Sequence, residues 1–575
     1  MAQDTARVMS VLGLEIGSVN MHGFLFDVVE DNYRLIASTV APSTHVEPVF
    51  ALGEAVFEVV TKLQDVTGRV FFGHDARLIM PSQAGGEGVD SFVITTSCAS
   101  GLNLVAFGLL NEVSLESVKR LADATYANLT ETIGINDRRP KNIQLDAVLA
   151  SRPDLILLSG GTDNGANRSL LRISELIASS LQIMPRSNRP QVLYCGNSVL
   201  AEQIQHSLDR FTKVKVAQNI RPSLDQEILE PAMEVLNSMI LDKVYEKVGG
   251  LQRIASSCSI PPRLSNEAFH RVVRFLGKQY DPSKGVLGID VGSSFTVASY
   301  SNGRSSCLNT FNYGTGEGIS NLLDRTNIRD ITRWLPEPMN DEDARDHLWQ
   351  HSVYPQEIPA TPGDLSLELA MARQVLRLAM RDLAQLDALP SARFEPILIS
   401  GAALNRTATP VQSLLTILDG IQPLGICPLI LDKHGIMPIL GAIAEFNPLL
   451  AVQVLESTAF TNLATVVNIS SKVRRGEPVL SARLDYTDGK YVEVELKQGS
   501  IKSLPLASGA TGRLRITMLR RGEIEEVNLT GEPIRVNGGV CGLVLDARGR
   551  PLKLPADDAT RRNLIKEWEL LLSTK

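Results

Sequence analysis

The sequence lacks most of what would mark an exported, membrane-spanning or nucleic-acid-binding protein. Its six cysteines (Cys98, Cys195, Cys258, Cys307, Cys427 and Cys541) are scattered, and no C-x-x-C pair occurs. That excludes a zinc ribbon and a sequence-local disulfide framework, and it points to a reducing compartment with buried apolar thiols. No apolar run reaches the roughly 18 residues of a membrane span, and the first residues, MAQDTARVMS, lack the basic-then-apolar pattern of an export signal. A basic excess is missing too. There are 57 Lys+Arg against 64 Asp+Glu, a net charge of −7, which argues against a general nucleic-acid binder. The expectation is a cytoplasmic protein with neither a nucleic-acid nor a membrane partner. What is present is ordinary globular material. Of 575 residues, 44% are hydrophobic and 21% charged, enough for about three to four domains with sizeable cores.

One phrase occurs twice. Val11-Leu12-Gly13-Leu14-Glu15-Ile16-Gly17-Ser18-Val19-Asn20 returns about 275 residues later as Val286-Leu287-Gly288-Ile289-Asp290-Val291-Gly292-Ser293-Ser294-Phe295-Thr296. In each copy an apolar strand runs into an acidic residue, a glycine frees the backbone, a hydroxyl follows and the chain turns back. Glycine permits close approach, so such a hairpin can aim N–H and hydroxyl groups at one phosphate. Gly17, Ser18 and Asn20 in the first copy are candidate phosphate contacts, as are Gly292, Ser293, Ser294 and Thr296 in the second. Glu15 and Asp290, at the strand ends, are candidate catalytic groups and candidate ligands of a hydrated Mg²⁺, which is bound by few carboxylates. Two copies suggest two half-sites that face each other.

Around each copy the periodicity is similar. In the first half, strands at 21–29 and 33–40 precede a helix at 49–64, the opening of a ribonuclease-H-like unit. Residues 68–108 read as an insertion or subdomain. A buried run then ends in Ser159-Gly160-Gly161-Thr162-Asp163, and ligands in open α/β sheets sit at the carboxyl ends of strands. Gly160, Gly161 and Thr162 are therefore candidate binding residues and Asp163 a candidate base; alternatively, the glycine pair only permits a tight turn. A helical stretch at 224–276 bridges to the second half. There, strands at 286–290, 295–300 and 305–311 lead into Gly314-Thr315-Gly316-Glu317-Gly318, which opens a helix at 319–325. Free N–H groups at a helix start favour anions, so Gly314 and Gly316 join the candidates. Residues 330–361, with Trp334 and Trp349, read as a surface excursion, and 365–389 as a long amphipathic helix. Ser400-Gly401-Ala402 echoes Ser159-Gly160-Gly161, which makes the order an internal duplication. A helix of small residues at 435–444 suits a hinge, because small residues let helices approach closely.

From about residue 463 short alternating strands take over, with Thr487-Asp488-Gly489 as a hairpin signal. They predict a small β-barrel or sandwich, capped by a helix at 557–572 that docks on it through Trp568. The basic pairs Arg474-Arg475, Arg520-Arg521 and Arg548-Gly549-Arg550 read as solvated turns, or as a surface for an acidic partner. The expected divisions are 1–275 (first lobe with insertions), 276–455 (second lobe), 456–556 (β-module) and 557–575 (terminal helix).

Together these motifs resemble the acetate and sugar kinase/Hsp70/actin superfamily. Residues 12–20 and 287–296 are similar to its two phosphate motifs, 397–405 to its adenosine motif and 435–444 to its second connecting helix. The resemblance implies an α/β fold of two ribonuclease-H-like lobes (the actin/Hsp70-like ATPase fold), here with a C-terminal all-β module. It also implies that the lobes clamp one Mg-ATP, with Gly401 and Ala402 near the nucleoside. The chain departs from the pattern at Glu15, where Asp is usual, at Asn20, where Thr is common, and at Ala402, where a second glycine is usual. More narrowly, residues 10 to about 450 resemble the MutL (GlmL) accessory proteins associated with glutamate mutase, on the phrases LILLSGGTDNG (155–165), VLYCGN (192–197) and DKHGIMPILGA (432–442). That resemblance implies an ATP-dependent chaperone or reactivating factor for a coenzyme-B12-dependent mutase, with ATP and Mg²⁺ as cofactors and the mutase as protein partner. Three alternatives stay open. One is a nucleotide-binding scaffold without hydrolysis, and a second is a small-molecule kinase of the same superfamily. The third is an iron–sulfur activase, whose cluster needs closely placed thiolates that the sequence does not supply.

Overall fold

The computed structural model describes residues 10–44, 52–98, 101–163, 165, 167–386, 389, 393–520, 522–524 and 532–573. The start of the helix expected at 49–64, the end of the one at 365–389 and Arg521 lie partly or wholly outside them. The first copy of the repeated phrase forms the strand Val11–Ile16. It turns back into Asn20–Val29 and on into Asn32–Pro42, an antiparallel meander. On its other side Ser91–Thr96 pairs in parallel, with Thr95 beside Glu15, and the short strand Arg263–Leu264 ends the sheet. The second copy does the same. Val286–Val291 has the antiparallel strands Thr296–Ser301 and Ser306–Phe311 on one side and the parallel strands Ile397–Gly401 and Ile426–Asp432 on the other. Two sheets of one strand order are the two ribonuclease-H-like lobes of the actin-like ATPase fold.

The lobes are joined by exchanged helices. Ser265–Gln279 leaves the edge of the first sheet and packs on Val286–Val291 and Thr296–Ser301 of the second. Met437–Ile443 leaves the second sheet and packs on Val11–Ile16 and Ser91–Thr96 of the first. The two helices cross at Gly441, where a Cβ would lie 1.9 Å from the carbonyl oxygen of Ala268. Only glycine allows that approach, which is how the small-residue helix serves the junction. Arg263 grips Glu445 with two hydrogen bonds of 2.7 Å, and Arg271 adds a third to the same carboxylate.

The sequence reading of the first half needs correction. Ser91–Thr96 belongs to the lobe sheet itself, and the insertion lies beyond it. Between that strand and Arg263 sits a separate, fully parallel sheet in the order Asn128–Ile133, Asn103–Phe107, Leu155–Leu158, Gln191–Tyr194, Val214–Val216. The Ser159-Gly160-Gly161 turn therefore stands on the inserted sheet, and the counterpart of Ile397–Gly401 is Ser91–Thr96. Both turns end buried apolar strands, so local pattern could not separate them; only strand pairing does.

Three further expectations change, that of the C-terminal β-module only in how it joins the second lobe. The 330–361 stretch contains the helices Ile328–Thr332 and Asp341–Val353, and Trp334 is buried in the second-lobe core while Trp349 stays exposed. Beyond residue 459 the second sheet continues, taking on Phe460–Asn468, Leu543–Asp546 and Ile501–Leu504. A four-stranded antiparallel sheet (Tyr491–Lys497, Pro478–Tyr486, Thr511–Met518, Ile534–Asn537) shares a core of Val467, Leu545, Leu480 and Leu514 with this extension. Arg548 and Arg550 are neither solvated nor free for a partner. Arg548 is buried against Asp419 (2.7 Å) and Asp546 (2.9 Å), and Arg550 holds Asp546 at 2.8 Å. The helix Asp558–Ser573 docks through Trp568, whose Nε1 donates to the Gly499 carbonyl at 3.1 Å. Among the described residues no helix is long and apolar enough to cross a membrane.

Candidate functional site

Both hairpins are built alike to the atom. The N–H of Gly17 donates to the Asn20 carbonyl at 3.0 Å, and that of Gly292 donates to the Phe295 carbonyl at 3.0 Å. A Cβ on either glycine would sit 2.7 Å from that same oxygen, so neither bend tolerates a side chain. The two bends meet. Ser18 Oγ lies 2.7 Å from Ser294 Oγ, across 276 residues of chain. Both line one cleft of about 380 Å³ between the lobes, together with Glu15, Gly17, Asn20, Asp290, Gly292 and Ser293.

At the base of the cleft stand two carboxyl groups. Each is held by a serine from the neighbouring parallel strand or the loop that follows it. Ser400, beside Asp290 in the sheet, donates to Asp290. Ser97 donates to Glu15 at 3.3 Å, and Ser265 adds a bond of 3.0 Å. Burial, reinforced by the negative charge of Asp290, pushes the Glu15 carboxyl up to about 7. Burial also raises Asp290, with Ser400 opposing the shift. Asp432 is a third raised carboxyl, pushed up to about 6 chiefly by burial; it accepts the N–H groups of Gly435 and Met437 at 2.9 Å each. Neither Glu15 nor Asp290 has an ion-pair partner among the described residues. Two like charges sharing a desolvated site favour protonation or a bound cation. Three or more metal-ligating side chains do not gather anywhere among those residues. The donor set thus fits a hydrated divalent ion held by few carboxylates, not a dehydrated cage.

The rest of the cleft wall mixes residues of the 397–405 and 432–442 segments with others that belong to no motif. His22 stands opposite Glu15 in the hairpin register, and burial, helped by Arg406, holds it down at about 4, so it is neutral. Arg406 and Lys433 supply positive charge, and Ser38 Oγ lies 2.9 Å from His434 Nδ1. Gly401 and Ala402 line the wall where the short helix Ala402–Asn405 begins. Tyr126, at the root of the inserted unit, packs edge-on against Phe295 of the second hairpin, with centroids 5.2 Å apart. Lys433 and His434 lie in the DKHG phrase, which was the one signal that could have flagged them. His22, Arg406 and Tyr126 gave none.

Several residues singled out in the sequence are engaged elsewhere. Thr296 is fully buried and its hydroxyl is taken up in donating to the Tyr313 carbonyl at 2.8 Å. The loop holding Gly314 and Gly316 folds onto the second hairpin. The N–H groups of Thr315, Gly316 and Gly318 donate to the Gly292 and Ser293 carbonyls at 2.9–3.0 Å, and Ser293 Oγ accepts from Glu317 N–H at 3.1 Å. These N–H groups are not free for an anion; the loop braces the hairpin. Gly160, Gly161, Thr162 and Asp163 do not line the cleft. Asp163 instead accepts from Ser198 N–H and Asn219 Nδ2, both at 3.0 Å, and ties together loops of the inserted sheet.

Residues 11–459 match the family described as MutL protein. The chain belongs to the MutL protein family. This MutL-family chain is 24% identical over 207 residues to Protein MutL of Clostridium tetanomorphum, covering 35% of the present chain and 42% of that relative's length. Among solved structures it is similar to the activator of the 2-hydroxyisocaproyl-CoA dehydratase from Clostridium difficile with bound ADPNP. There the identity is 9% and the TM-score 0.28, over 78% of this chain and 98% of the other. It is likewise similar to a glycerol dehydratase reactivase, at 9% identity and a TM-score of 0.28, over 76% of this chain and 100% of that one.

Proposed function

We propose that the cleft binds Mg-ATP and that nucleotide-dependent closure of the lobes makes this chain a cytoplasmic reactivating factor for a coenzyme-B12-dependent mutase. One observation carries the nucleotide half of the reading: two Gly-Ser bends closed by the same backbone hydrogen bond touch across a cleft with a pair of desolvated carboxyls behind them. Ser18, Ser293 and Ser294, with the N–H groups of the bends, hold the phosphates, whose oxygens take the place of the serine–serine hydrogen bond and of the bond that Ser294 donates to Glu317. Glu15 and Asp290 orient a hydrated metal ion and the attacking water. Mg²⁺, when bound, neutralises charge on the carboxylates and phosphates. Arg406 and Lys433 raise the positive potential of the wall, and Gly401 and Ala402 leave room for the nucleoside.

The exchanged helices turn occupancy into motion. A phosphate that contacts both bends only in the closed state supplies the free energy difference between closed and open lobes. The partner half of the reading is supported by membership of the MutL family and by the phrases at 155–165, 192–197 and 432–442, which resemble the accessory proteins of glutamate mutase. ATP turnover by the purified protein, measured with and without a coenzyme-B12-dependent mutase and repeated with Asp290→Ala, tests it. Mutase-stimulated turnover that disappears in the variant is the expected result. Binding without turnover would leave a scaffold, turnover stimulated by a small acceptor would indicate a kinase, and absence of ATP binding would overturn the reading.

A further inference from the structure

The outer side of the helix Asp341–Val353 carries a surface that the cleft does not use. Trp349 and Val353 stand four residues apart on its exposed face, and Tyr354 and Ile358 continue the patch, with Val353, Tyr354 and Ile358 each about two-thirds exposed. The rim is acidic: Glu342, Asp343, Asp346 and Glu357 are exposed, and Arg345 alone on this helix opposes them. Between this helix and the helix Pro362–Gln385 lies a small notch walled by Leu348, Leu367 and Met371, with Glu368 lining it. Glu368 is only 7% exposed, and its Oε2 has no hydrogen-bond partner among the described residues. Its other oxygen reaches Arg406 at 3.9 Å, beyond hydrogen-bond range. Buried acceptors are normally satisfied by protein or by water, so this oxygen is open to a donor from outside.

We propose that this surface docks a protein partner that inserts an arginine, flanked by apolar residues, into the notch. The aliphatic stem of arginine suits the Leu348, Leu367 and Met371 walls, and its planar fork suits a carboxylate that has an unused oxygen. Exposed tryptophan and tyrosine are the residue types that dominate binding energy in protein interfaces. The acidic rim selects a basic partner and speeds its approach. Glu368 and His351 line both the notch and the cleft. Taking the cleft as the nucleotide site (the one point that rests on the preceding section), a guanidinium on Glu368 draws it away from Arg406 and leaves Arg406 to the phosphates. Partner and nucleotide then strengthen each other's binding reciprocally.

The full-length protein panned against a random peptide library tests this without presupposing the partner. Enriched peptides are expected to share an arginine between apolar residues. Calorimetry on the synthesised peptides should show affinity falling about tenfold or more when citrulline replaces arginine, and similarly in Glu368→Gln and in Trp349→Ala. Trp349 is a surface position, so its loss of binding is not misfolding; Glu368→Gln is checked by thermal unfolding. Enriched peptides without a basic residue, equal affinity for both variants and wild type, or no enrichment would each overturn the proposal. ATP binding is measured on the same samples. A wild type that binds peptide but no ATP sinks the nucleotide reading and leaves this one standing, and the reverse result does the opposite.

Discussion

Glu15 is a carboxyl whose chemistry is strongly bent by its surroundings. Its carboxyl is moved from an ordinary 4.5 to about 7 by burial and by Asp290. A folded-state value above the unfolded one means that Glu15 contributes its full stability below pH 4.5 and that this contribution is lost as the pH rises through 7. Metal-free Glu15→Gln should therefore be more stable than wild type at about pH 8, by on the order of 3 kcal/mol, and equal to it near pH 4. Denaturant titrations at the two pH values measure this, and parallel profiles for both proteins would show that Glu15 ionises normally. The bends make a second prediction. Gly17→Ala and Gly292→Ala each force a Cβ to within 2.7 Å of the hairpin's own carbonyl. Each should cost about 1–3 kcal/mol and abolish any rise of Tm with ATP, read by thermal scans. At this scale the hairpin residues were legible because strand, acid, glycine and hydroxyl are neighbours in the chain. The Thr296 hydroxyl and the Gly316 N–H are taken up within the protein, because whether a hydroxyl or N–H is free depends on what folds over it.

At the scale of elements, the crossing of Ser265–Gln279 and Met437–Ile443 is a close contact at the junction of the lobes. Gly441→Ala places a carbon 1.9 Å from the Ala268 carbonyl oxygen. The backbone cannot yield without parting the helices, so a loss of about 3 kcal/mol is expected in equilibrium unfolding. A variant as stable as wild type would mean that the helices can slide apart freely. The sequence marked this helix by its small residues, but it could not say which helix crosses it. Nor could it place Ser159-Gly160-Gly161, because a buried apolar run with a glycine turn has the same local pattern in a lobe sheet and in an inserted one.

For the whole molecule, the C-terminal strands are continuous with the second lobe and are pinned by charge as well as by apolar packing. Arg548 lies between Asp419 of the helix Pro410–Ile421 and Asp546 of the strand Leu543–Asp546. Arg373 also holds Asp419, at 3.0 Å. Arg548→Met leaves two buried carboxylates short of their shared cation, and a loss of about 3–5 kcal/mol is expected. Chemical denaturation followed at once by tryptophan emission and by far-UV signal reads it. A change below about 1 kcal/mol would show that the ion cluster is dispensable for joining the two parts.

Sequence alone determined the two hairpins, the strands that turn back from them and the family, because each depends on short-range order: which residue follows which, and with what period. Tertiary structure decided the rest. Strand pairing assigned the Ser-Gly turns to different sheets, chain packing closed the Thr315–Gly318 N–H groups onto a hairpin, and burial turned Arg548 from an apparent surface charge into an internal tie. Hydrogen bonds and desolvation act between groups that the fold brings together from far along the chain, and local pattern carries no record of those meetings.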